Sequence, residues 1–172
     1  MGEQGQKRQG PITGFLTEDH RRLEALLLSA VADPDKVDHA AYARFRAGLL
    51  RHIGMEEKIL LPAAQRLRGG NPLPLSAKLR LDHGAIASLL MPTPTASIIA
   101  MIRGILADHN VIEEGSDGLY ETCDALAGEE AEQLLARLQA APGVSVMPYS
   151  DTLTVLNTVR RAVERAGYQF KG

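Results

Sequence analysis

His52-Ile53-Gly54-Met55-Glu56-Glu57 and, later in the chain, His109-Asn110-Val111-Ile112-Glu113-Glu114 spell one string, His-x-x-x-Glu-Glu. A spacing of four stacks the histidine and the first glutamate one turn apart on a single helix face. That face is otherwise apolar in both stretches. The first reads Ala41, Phe45, Leu49, His52, Glu56, Leu60, Ala63, and the second Ile98, Ile102, Leu106, His109, Glu113, Ser116, Tyr120. Two more histidines sit in stripes of the same period: His20 among Leu16, Leu23, Leu27 and Val31, and His83 among Leu79, Ile86 and Leu90. Four helical stripes thus carry one histidine each, and two of them add a glutamate. Glu57 and Glu114 lie about 100° further round their helices.

The rest of the chain agrees with helices. Leu and Ala supply 24 and 23 residues against 17 for Val and Ile together, a balance that favours helix over strand. Turn signals at Asp33-Pro34-Asp35, Gly69 to Pro74, Met91 to Pro94, Gly128 and Pro142 to Pro148 cut it into helix-length pieces. These predict helices over 17–31 (capped by Thr17), 38–67 (capped by Asp38), 76–90 (capped by Ser76), 95–126, 129–140 and 150–166. Pro62 is expected to kink the second. The fold expected is all-α: an up-down-up-down four-helix bundle with a short C-terminal helical appendage. Residues 1–12 are read as a flexible N-terminus, 13–127 as the metal-binding bundle and 128–172 as the extension.

Composition excludes several classes. A net charge of -2 lacks the basic excess of a phosphate-driven nucleic-acid binder, and seven aromatics without a Trp supply a stacking platform poorly. No apolar run approaches the length of a membrane span. The start of the chain is polar, unlike a secretory signal, and Gln6 breaks the myristoylation pattern. Cys123 is the only cysteine, so no disulfide framework exists. These features predict a cytoplasmic protein without nucleic-acid or membrane partners.

Taken singly, His52 with Glu56 would read as a surface helix pair worth a few tenths of a kcal/mol, and His20 or His83 as a core histidine. The second copy and the apolar setting reverse that reading. Two His–Glu pairs and two further histidines on inward faces call for a compensating cation. Six such side chains exceed what one tetrahedral zinc takes. They fit two ions, with carboxylates able to bridge and imidazoles to cap. Imidazole with carboxylate suits iron, and zinc or manganese less well. The two halves also repeat each other. Asp19-His20 precedes one His-x-x-x-Glu-Glu string and Asp82-His83 the other.

His, His-x-x-x-Glu, His, His-x-x-x-Glu in this order resembles the hemerythrin-like family, the HHE cation-binding domain. The run from His52 to Pro62 is similar to that family's second-helix signature. The resemblance spans about residues 13–127. It implies a bundle holding a non-haem pair of iron ions, oxo- or hydroxo-bridged, with His20, His52, Glu56, His83, His109 and Glu113 as ligands. Glu56 and Glu113 would bridge and the four histidines would be terminal. It implies chemistry with a small diatomic ligand (O2 or NO) or peroxide, or sensing of redox state. The ferritin-like alternative needs Glu-x-x-His, and no histidine here has Glu three residues before it.

One departure is plain. Oxygen carriers of that family have a fifth histidine one turn from the third-helix histidine, whereas Leu79 and Ala87 stand one turn from His83. Reversible O2 transport is therefore not expected, and a metal position stays open. Three functions remain: ligand binding or sensing at the open site; an oxidoreductase acting on peroxide or NO, or an iron donor for metal-centre repair; and an iron-storage or partner-binding bundle. A signalling or electron-donor protein could dock on 128–172, where Tyr168 and Phe170 stand in a polar tail. Among lesser candidates, Glu24 shares the His20 face and either ligates or pairs at the rim. Asp19, Asp82 and Asp108 each precede a candidate histidine and either fix a ring tautomer or stay solvated. His39 reads as exposed, Tyr120 as core filling and Cys123 as buried.

Overall fold

In the computed structural model, which describes residues 9–172, the chain is helical, and no strand occurs among the described residues. Of residues 1–12, expected to be a flexible start, residues 1–8 lie outside the described residues, whereas Pro11 and Ile12 belong to the first helix and Ile12 is fully buried. The helices are α1 (Pro11–Ala30), α2 (His39–Met55), α3 (Leu61–Leu67), α4 (Ser76–Leu89), α5 (Ala96–Glu114), α6 (Leu119–Ala127), α7 (Ala131–Gln139) and α8 (Leu153–Arg165). None among the described residues is long and apolar enough to cross a membrane.

α1 begins at Pro11, six residues before the Thr17 expected as its cap. Proline at the first helical position supplies the right φ and lacks only an N–H that would be orphaned anyway. The cap comes from far away. The Asp124 carboxylate accepts from the Ile12 N–H at 3.0 Å, the Thr13 N–H at 2.9 Å and the Thr13 hydroxyl at 2.6 Å. Gly10 leaves room for it, since a Cβ there would collide with that carboxylate. Thr17 is instead a buried mid-helix residue. Asp124→Ala should destabilise the protein by about 1–2 kcal/mol, read as a drop of a few degrees in Tm. An unchanged melting curve would show the cap to be dispensable.

Asp38 caps α2 as expected, accepting from the Ala40 and Ala41 N–H groups. The expected single helix to residue 67 is instead interrupted by a π-helical turn, Glu56–Leu60, before α3 takes over. Pro62 offers no N–H to the carbonyl of Lys58, and the widened turn absorbs that loss without ending the helix. Ser76 does not cap α4. It is that helix's first residue, and its hydroxyl donates to the Leu73 carbonyl.

The helix expected over 95–126 is two helices. Gly115-Ser116-Asp117-Gly118 ends α5 and redirects the chain into α6. Asp117 takes φ 58°. A Cβ at Gly115 would stand 2.6 Å from the Val111 carbonyl, and one at Gly118 the same distance from that of Ile112. Both contacts are too close for any residue but glycine.

Two apolar cores form. One joins Leu23, Leu27, Phe45, Leu49, Ile86 and Ile102; the other joins Ile12, Leu16, Met55, Leu60, Leu79 and Leu119. The four inward histidines fall between these sets along each helix. Residues 128–172 are not merely laid outside. Leu134 and Leu138 of α7 complete the second core, and Val159 and Val163 of α8 the first. Buried Arg46 ties down the segment between α7 and α8 by donating to the carbonyls of Leu90 and Met147.

Candidate metal centre

α1, α2, α4 and α5 each deliver one histidine to a buried polar layer between the two cores. His20, His52, His83, His109, Glu56 and Glu113 are all buried, both glutamates completely. They fall into two groups that share the glutamates: His20, His52, Glu56 and Glu113, and Glu56, His83, His109 and Glu113. Within each group, one ligand-type atom from every residue lies within 4.8 Å of the others.

Each glutamate gives one oxygen to each group. Glu56 Oε1 stands 3.2 Å from His52 Nε2, and its Oε2 3.0 Å from His83 Nε2. Glu113 Oε2 stands 3.2 Å from His20 Nε2, and its Oε1 2.8 Å from His109 Nε2. All four rings therefore present Nε2 to the centre.

They do so because each Nδ1 is held from behind by a carboxylate. His52 Nδ1 donates to Asp19 at 2.8 Å, and His109 Nδ1 to Asp82 at 3.2 Å. His83 Nδ1 donates to Glu57 at 2.6 Å, and His20 Nδ1 to Glu114. Such bonds fix ring orientation and tautomer. The partners cross between helices: the aspartate before one histidine serves the histidine of the next helix, and the glutamate after each central glutamate serves another helix's ring. Cations brace three of the four, with Arg22 on Asp19, Lys78 on Asp82 and Arg80 on Glu57.

Sequence reasoning offers Asp19 and Asp82 for this work and the structure gives it to them, on the neighbouring helix's ring in each case. Asp108 is exposed and takes no such part. Helical periodicity puts Glu57 and Glu114 off the face and so passes over them. The duplication of the second glutamate in both strings is the signal that could have found them. Glu24 is exposed and absent from both groups, and His39 is exposed. Cys123 is buried, and burial pushes its thiol up to about 12.

Tyr120 is more than core filling. Its hydroxyl lies 2.7 Å from Glu56 Oε1, 3.0 Å from Glu113 Oε2, 3.0 Å from His20 Nε2 and 3.2 Å from His52 Nε2. The stripe that places it near Glu113 assumes one continuous helix; the Gly115–Gly118 turn is what brings it in. Burial, joined by the charges of Glu113 and Glu56, holds the phenol protonated.

Without a metal, protons supply the positive charge. Burial pushes the His52, His83 and His109 imidazoles down, but Glu56 and Asp19 outweigh it at His52 and raise it to about 10. Glu113, Glu56 and Glu57 raise His83 to about 12, and Asp82 and Glu113 raise His109 to about 9. Burial and the Glu113 charge push Glu56 up, but His52 and His83 prevail and bring it to about 2. The balance is incomplete. Glu56 Oε2, His83 Nε2 and Glu113 Oε1 are buried and, though close in space, make no aligned hydrogen bond. Three such ligand-type atoms converging in one group are what a cation would satisfy. The imidazole and carboxylate set fits iron.

A cavity of about 460 Å³ opens beside His20, walled by Leu23, Leu27, Phe45 and Leu106, with Glu24 and Arg103 also lining it. It reaches one of the two histidine groups directly.

Residues 12–91 match the family model described as the hemerythrin HHE cation binding domain. The match runs from α1 to the end of α4 and covers His20, His52, Glu56 and His83. His109 and Glu113 lie beyond it and join the centre through the geometry above. No curated protein and no solved structure matches the chain.

Proposed function

From the hemerythrin-like, cation-binding character of residues 12–91 as premise, we propose that this protein holds two iron ions and uses them to bind or sense O2, NO or redox state. The supporting observation is that two four-residue groups share Glu56 and Glu113, one carboxylate oxygen facing each. The bundle in this reading is up-down-up-down, built from α1, α2 with its continuation, α4 and α5, and occupies 13–127 with 128–172 as its extension.

His20 and His52 would hold one ion, His83 and His109 the other, and Glu56 and Glu113 would bridge them. Iron bound there would supply binding of a small ligand and one-electron redox chemistry. The chain's own residues do the rest. Asp19, Glu57, Asp82 and Glu114 keep each Nδ1 protonated, so that Nε2 carries the lone pair. The two apolar cores exclude bulk water from above and below. Leu79 and Ala87 offer no donor beside His83, which leaves room for a small exogenous ligand. The cavity beside His20 would bring such a ligand as far as the neighbouring His20 position.

That cavity is larger than a diatomic molecule needs, and this favours as second reading an oxidoreductase that reduces peroxide. It would draw electrons from a donor protein docked on 128–172. Both readings place the protein in the cytoplasm.

Iron-replete expression followed by elemental analysis should give two irons per chain, with visible bands that change on azide addition. One tightly bound zinc, or no metal, would overturn the two-iron reading. Turnover of hydrogen peroxide with an added reductant would move the conclusion to the enzyme.

A further inference from the structure

We propose that Tyr120 makes the two metal positions unequal: its phenolic oxygen becomes a ligand to the ion held by His20 and His52, and the His83–His109 position fills first. The inference rests on the two-metal reading above.

The phenol stands within the His20 group. Its oxygen is 2.7–3.2 Å from one ligand-type atom of every member of the His20 group. A tyrosine present only for packing would need one partner for its hydroxyl, whereas this one is aimed at the point on which four donors converge. The oxygens it touches, Glu56 Oε1 and Glu113 Oε2, are those turned toward His20 and His52.

The His83 group has no such occupant. The unsatisfied atoms Glu56 Oε2, His83 Nε2 and Glu113 Oε1 all belong to that group. The unmet demand for a cation is therefore concentrated there. In the His20 group the hydroxyl stands among the four atoms and none of them is left without a hydrogen-bond partner, so an ion entering must take the hydroxyl's place among them.

The displaced oxygen cannot go far. Tyr120 is fully buried and packed in the core with Ile12, Leu16, Met55 and Leu60, and α6 is fixed behind it by the close-packed glycines of the preceding turn. Metal–ligand bonds of about 2.0–2.2 Å are shorter than the present hydrogen bonds. An ion centred among the four donors thus lies within bonding reach of the phenol after a small outward shift. As the oxygen–metal bond forms, the phenol proton leaves to water, and no electron is transferred.

Two experiments on the full chain test this. Protein loaded with iron and oxidised in air should contain two irons and show tyrosinate ring modes in a Raman spectrum excited in its visible band. Tyr120→Phe, checked for native helicity by circular dichroism, should lose both band and modes. Two irons without tyrosinate modes in the native protein would remove Tyr120 as a ligand and leave the two-metal reading standing; fewer than two irons would remove both. Zinc alone, at one equivalent per metal-free chain, reads the filling order. His83→Ala should weaken that first binding step tenfold or more, and His20→Ala should leave it unchanged. The reverse pattern would overturn the order.

Discussion

Glu56→Ala or Glu113→Ala is expected to yield protein that retains almost no iron after gel filtration, while Glu57→Ala and Glu114→Ala retain it with affinity lowered about 10–100-fold. Each central carboxylate is completely buried and sends one oxygen to each histidine group. In the two-iron reading, removing one would therefore take a ligand from both positions at once. It would also leave the imidazoles around a cation pair with half its internal negative charge. Glu57 and Glu114 act through another residue, by holding the Nδ1 of His83 and His20. Their loss frees a ring to rotate but removes no ligand. Iron per chain, measured on the four variants side by side, decides the matter. Iron-free Glu57→Ala beside iron-replete Glu56→Ala would show that the π-helical turn sets the opposite register.

The metal-free protein should lose stability as pH rises from neutral to above 10, and the metal-loaded protein should not. His52, His83 and His109 have folded pKa values of about 10, 12 and 9, against 6.5 for free imidazole. A raised value stabilises the fold fully below the unfolded pKa, and that contribution disappears as pH climbs through the folded values. The window is therefore about 7 to 12, with His109 the first to let go. Each tenfold gain in a ring's proton affinity on folding corresponds to about 1.4 kcal/mol, so the loss across the window is on the order of several kcal/mol. In the loaded protein the rings are already neutral and the ions supply the positive charge. Loading at pH 7 should release protons, because these rings must give theirs up to ligate. Thermal melts across pH with and without metal read the difference. A metal-free Tm that stays flat to pH 11 would contradict the ion-paired description of the metal-free centre.

The centre is more legible in the sequence than the helix boundaries are. Spacing and duplication alone bring His20, His52, Glu56, His83, His109 and Glu113 into one layer, because side chains four apart on an apolar face have nowhere to go but inward. What escapes such reasoning depends on contacts distant in sequence. Asp124 caps α1 from the far end of the fold, and no local signal near Pro11 announces it. The break at Gly115–Gly118 is masked by an apolar stripe that continues through Ser116 to Tyr120. Two glycines within four residues outweigh that stripe, as their close approach to backbone carbonyls explains. Tyr120 is undervalued for the same reason. Its importance lies in a reversal of the chain that periodicity cannot express. Glu57 sits on a π-helical turn, where the 100° step of a regular helix no longer assigns a face.

The clamp of Asp124 on the first turn of α1 has a consequence for the order of assembly. The N–H groups of Ile12 and Thr13 wait for an acceptor more than a hundred positions later in the chain. Contacts of such separation carry a large loop-closure cost and form late. On a nascent chain, α1 emerges with a frayed start and is completed only when α6 docks. α6 also carries Tyr120, so the step that finishes the first helix is the one that delivers the phenol to the centre. Amide exchange at Ile12 and Thr13 should then report on the docking of α6 rather than on the helix to which those residues belong.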